Sequence, residues 1–165
     1  MRKIVLKRSL ILCVIIFILE LLNLILYYFL RNFIASFIFK STIDEIYDKS
    51  EVISYIVLII FSLFSYYYIG KKIFVKLGSK NTRQYVAINS SIIIMLSYPV
   101  SEFITQITGE YFTIHLMVCS PIAYLMAIPF SKNEITFVVV LVLFSPISVL
   151  LIWLFSRTKK SENDV

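Results

Sequence analysis

Residues 9–30, SLILCVIIFILELLNLILYYFL, constrain this chain more than any other stretch: 22 residues with a single formal charge, Glu20. At about 1.5 Å per residue, a helix of that length measures roughly 33 Å, enough to cross a hydrocarbon core of about 30 Å. Sixteen of its residues are Leu, Ile, Val or Phe, which together favour insertion by about 5–10 kcal/mol. A charged Glu20 at the centre opposes this by roughly 3 kcal/mol. The apolar term wins, so lipid is the expected solvent. The basic start, MRKIVLKR, is followed by an apolar run longer than a signal peptide needs, with no small-residue cleavage site after it. A signal anchor fits it better.

The rest of the composition agrees. Of 165 residues, 59 % are hydrophobic and 16 % charged, and the mean hydropathy is +0.89. A soluble domain carries about 25 % charge. The longest polar segments are too short to bury a core of their own, so residues 1–156 read as one membrane domain and 157–165 as a polar tail. The net charge of +6 sits in short clusters beside apolar runs, as orientation signals and headgroup contacts do. No basic face on a soluble fold is present for nucleic acid. Cys13 and Cys119 both fall inside apolar runs and read as buried thiols.

The expected fold is all-α: an integral membrane helical bundle of five transmembrane helices plus a short interfacial amphipathic helix. The spans cover about residues 9–30, 52–70, 85–104, 111–130 and 135–156. Arg2, Lys3, Lys7 and Arg8 keep the N-terminus in the cytoplasm of a multi-pass plasma-membrane protein. In residues 31–51, Phe33, Ile34, Phe37, Ile38, Ile43, Ile46 and Tyr47 recur at helical spacing and predict an amphipathic helix at the outer surface. Tyr66, Tyr67 and Tyr68, then Lys71 and Lys72, form an aromatic belt and a cytoplasmic exit. The loop 71–84 carries five basic residues, no acidic one, and a Gly78–Ser79 turn. The run 85–104 is diluted by Asn89, several serines, Pro99 and Glu102, so neighbours must cover it. Bias toward Ile, Phe, Tyr and Lys hints at an AT-rich bacterial genome.

Five spans leave the C-terminus outside, with ten basic residues on the inner side and six on the outer. A four-span arrangement, with 85–104 re-entrant or interfacial, gives twelve and four and obeys the positive-inside rule better. Against it, 85–104 is long enough to span and centres on Ile92–Ile93–Ile94–Met95–Leu96.

Few polar residues are available for chemistry. Glu20, Asn23 and Tyr27 stand at i, i+3 and i+7 on one helical face. A mid-membrane ionisable residue faces the bundle interior and takes a partner, as an ion or proton site or as interhelical glue. Ser120–Pro121–Ile122 and Ser145–Pro146–Ile147 repeat at an offset of 25. Each proline frees a carbonyl four residues earlier, at Met117 and Val142, and broken helices of this kind hold substrate in transporters. The plainer reading is a serine hydroxyl closing the gap. Asn89, Glu102 and His115, the one histidine, are weaker candidates. One histidine and distant cysteines make a poor metal set, and no nucleophile motif or phosphate loop occurs. The chain is therefore expected to need no cofactor or metal. Its expected partners are the lipid bilayer and another membrane protein or a second copy of itself. The leading expectation is a non-catalytic accessory, immunity-type or assembly protein. The alternative is a small transporter or channel component with a polar site around Glu20.

Overall fold

A computed structural model of the chain describes residues 2–37, 43–108, 121–130 and 132–157. Six α-helices account for most of them: α1 (Arg2–Phe37), α2 (Ile43–Tyr68), α3 (Lys80–Thr108), α4 (Pro121–Ala127), α5 (Glu134–Phe144) and α6 (Ile147–Arg157). No strand occurs among the described residues. Three helical stretches are long and apolar enough to cross a membrane: Lys3–Ile34, Val52–Leu77 and Ile135–Arg157. The last runs through α5 and α6.

Neither α1 nor α2 contains glycine or proline, so neither residue interrupts their hydrogen-bond ladders. At about 1.5 Å per residue, the 36 residues of α1 extend roughly 54 Å, well beyond a hydrocarbon core. The expected separate amphipathic helix over 31–51 takes a different form. Residues 31–37 end α1 and residues 43–51 begin α2, because the apolar periodicity continues in phase with each long helix. Residues 38–42 lie outside the described residues.

The helices end where the chain supplies punctuation. After α2, a π-helical turn (Ile69–Ile73) and a 3-10 turn (Phe74–Leu77) lead to Gly78, whose φ of 131° suits glycine alone. Ser79 then caps α3: its carbonyl accepts from the Arg83 amide at 2.9 Å and its Oγ from the Thr82 amide at 3.5 Å. Asn133 does the same for α5, its Oδ1 accepting from the Thr136 amide at 3.1 Å.

Side-chain contacts give the helix directions. Glu20 and Asn23 on α1 meet Tyr66 and Ser62 on α2, so α1 and α2 run antiparallel. Ser9 reaches the Val86 carbonyl and Cys13 the Ser90 carbonyl, each pair 77 residues apart, so α1 and α3 run parallel. Gly70 lies against the Ile152 carbonyl, where a Cβ would come within 2.6 Å, and the Tyr67 and Phe155 rings meet edge to face at 5.6 Å. The C-terminal end of α6 therefore shares one end of the bundle with the start of α1, the 71–79 turn and the start of α3. Five alternating crossings would put Arg157 at the opposite end from Arg8; the packing puts both at the same end. Because α3 leaves that end and α5–α6 returns to it, the segment between Thr108 and Glu134 begins and finishes at the far end.

The core is made by Leu12, Ile16 and Leu19 of α1, Tyr66 of α2, Val86 and Ile94 of α3, and Val149 and Ile152 of α6, with Phe74 closing the turn. Residues on α3 sort by polarity. Ser90 is fully buried and Asn89, Ser91 and Ser97 are half-buried, while Ile88, Ile92, Leu96 and Val100 are exposed. Small side chains allow close approach: Ser90 Oγ donates to the Ser9 carbonyl at 3.2 Å. Ala123 and Ala127, both fully buried, do the same for α4, which lies beside α5 and against α2.

Candidate functional site

The i, i+3 spacing of Glu20 and Asn23 on α1 and the i, i+4 spacing of Ser62 and Tyr66 on α2 put two polar residues on each facing stripe. Antiparallel pairing brings all four together. Tyr66 Oη donates to Glu20 Oε1 at 2.6 Å, Asn23 Nδ2 donates to Glu20 Oε2 at 2.9 Å, and Asn23 Nδ2 also donates to Ser62 Oγ at 3.1 Å. Every member is buried. Both carboxyl oxygens accept a bond, and the amide nitrogen commits to two acceptors. In a low-dielectric interior such bonds are strong, and an unmade one is costly. One atom stays outside the network: Asn23 Oδ1 is buried and has no hydrogen-bond partner.

Tyr66 changes role relative to the sequence expectation. It is 0 % exposed, whereas Tyr67 and Tyr68 are 49 % and 60 % exposed. Two of the three tyrosines face outward, and the first turns inward to Glu20. The signal for Tyr66 and Ser62 lay in their four-residue spacing, but pairing them with Glu20 required the hairpin register. Tyr27 packs its ring against Tyr55 at 5.1 Å and Tyr28 at 5.5 Å, one turn beyond Asn23.

At the second proline the plainer reading holds. The Val142 carbonyl accepts from the Ser145 amide at 3.3 Å and from Ser145 Oγ at 2.8 Å. The acceptor freed by Pro146 is closed by its own neighbour. Pro121 is buried at the start of α4, while Met117, Ser120, Cys119 and His115 lie outside the described residues. Asn89 is half-buried on α3 and joins the cluster through no described contact; Glu102 falls in the same helix, with its side chain outside the described residues. No group of three or more His, Cys, Asp or Glu side chains among the described residues could hold a metal. No protein family, curated protein or solved structure matches the chain.

The geometry sets a coupling that can be measured. Tyr66→Phe and Glu20→Gln, singly and together, should give a double-mutant coupling of about 0.5–1.5 kcal/mol in detergent unfolding. Additive single effects would show that the bond contributes nothing to the α1–α2 contact.

Proposed function

We propose that this chain is a non-catalytic membrane protein that acts by binding a membrane partner, as an accessory, immunity-type or assembly protein. The observation that carries the reading is the closure of Glu20: both of its oxygens accept bonds from Asn23 and Tyr66 of the same chain. A carboxyl committed in this way fastens two helices, and offers neither oxygen unshared to a passing cation. A second observation supports it. Ile11, Val14, Ile18, Leu22, Ile25, Phe29 and Phe33 are all exposed, at intervals of three or four along α1, which makes a continuous apolar seam available to a partner's span.

We place the protein in the cell membrane of a bacterium with four crossings: α1, α2, α3 and the α5–α6 stretch. In this threading the chain leaves α3 and enters α5 on the outer side. The support is the shared end of Arg8 and Arg157, and the basic-residue balance of twelve inside and four outside that this threading gives. It differs from the expected five spans in the side of the C-terminus, and from the expected four-span arrangement in letting the run 85–104 cross as part of α3. The ends of α1 and α2 then carry the 31–51 region past the outer headgroups. Reporter fusions after Lys76 and after Arg157 should both signal cytoplasm; opposite sides would refute four crossings.

A second reading, a small transporter or channel component, draws on one observation: the unpartnered, buried Asn23 Oδ1, an acceptor beside a carboxyl. Two measurements separate the readings. A photo-reactive residue at Ile18 or Leu22 should form a discrete protein adduct in native membranes, and purified protein in liposomes should conduct no protons or cations. Conductance lost in Glu20→Gln, with no adduct along α1, would reverse the order of the two readings.

A further inference from the structure

A groove of about 300 Å³ lies between α3 and α6, lined by Gln84, Ala87, Ile88, Ser91, Ile92, Leu150 and Trp153. Its walls run antiparallel and lead to the end of the bundle where α3 begins and α6 stops. The same register that lines the groove continues into cations there. Lys80 precedes Gln84 by four residues, Arg83 precedes Ala87 by four, and Arg157 follows Trp153 by four. The Arg157 guanidinium lies 3.6 Å from the Trp153 ring centroid, a cation–π contact that holds it at the groove wall. Arg83 Nε is buried with no hydrogen-bond partner. Residues 2–19, 52–101 and 135–157 contain no Asp or Glu, so none of these segments supplies a carboxylate to this end.

We infer that this groove seats a phospholipid with a net negative headgroup, its acyl chain along Ile88, Ile92 and Leu150 and its phosphate among Lys80, Arg83, Gln84 and Arg157. Three observations select this occupant: an apolar trough, a polar amide at its mouth, and cations for which residues 2–19, 52–101 and 135–157 hold no carboxylate. A zwitterionic lipid fits the trough and brings those cations no net negative charge. The inference requires only that the chain sits in a bilayer, and stands apart from the partner-binding reading.

Trp153 is the chain's one tryptophan, so its fluorescence reports directly on the groove wall. The full-length protein would be reconstituted in phosphatidylcholine bilayers doped with increasing brominated phosphatidylglycerol or brominated phosphatidylcholine. The anionic quencher should act at about fivefold lower mole fraction, the equivalent of one engaged cation. In Arg83→Gln/Arg157→Gln the two curves should converge. Superimposed curves in the unmodified protein overturn the proposal, because they mean ordinary annular exchange. A preference that survives the double substitution also overturns it, because the headgroup is then recognised elsewhere. If the double variant fails to insert, Arg157→Gln alone decides by the same criterion, since that side chain is at the exposed end of α6.

Discussion

The hydrogen-bonded carboxyl of Glu20 is the constraint on which the arrangement of the first two helices depends. A carboxyl near the middle of a long apolar helix has no water to turn to, and its cost falls only when partners within the protein meet it. Tyr66 and Asn23 meet it from two sides, and Ser62 anchors Asn23 in turn. Sliding α1 past α2 by a turn would part Tyr66 from Glu20 and Ser62 from Asn23 at once. The cluster therefore sets the register of the hairpin, a task that apolar packing alone performs weakly where lipid tails are as apolar as the side chains they would replace.

Once that register is set, the other contacts follow from a solvent that favours apolar side chains outside and polar ones within. Across α1 and α3, Ser9 Oγ donates to the Val86 carbonyl and Ser90 Oγ to the Ser9 carbonyl. Gly70 lets the turn after α2 come against α6. Each is a small residue at a close approach, and each lies toward the basic end of the bundle. Leucines and isoleucines that would form the core of a soluble protein face outward instead on α1, α2 and α3.

Much of this was legible in the residues. The apolar length of α1, the inward demand of Glu20 and Asn23, the Gly78–Ser79 turn and the need to cover the polar face of α3 all follow from local chemistry. Two features were not. The role of Tyr66 depends on hairpin register, a long-range quantity that no window of residues carries, and three adjacent tyrosines at a helix end look alike until one is turned inward. The direction of α6 was the other. Hydropathy reports that a run can cross a membrane, but not which way it runs; the packing of Gly70 against Ile152 supplied that. The basic tail residue Arg157 had favoured the same end throughout, outweighed by the apolar centre of 85–104, which the structure retains as a long helix.

Glu20, Asn23, Ser62 and Tyr66 join α1 to α2 in the interior, while the outer faces proposed for interaction are the apolar seam of α1 and the cationic mouth between α3 and α6. The central claim is the closed carboxyl. Solid-state NMR of the carbon-labelled protein in lipid bilayers tests it most directly, through the side-chain carboxyl carbon of Glu20. Through-space correlations from that carbon to the Tyr66 ring and the Asn23 side-chain amide are predicted. Their absence, in a sample where the helical backbone signals of all three residues are observed, would contradict the account.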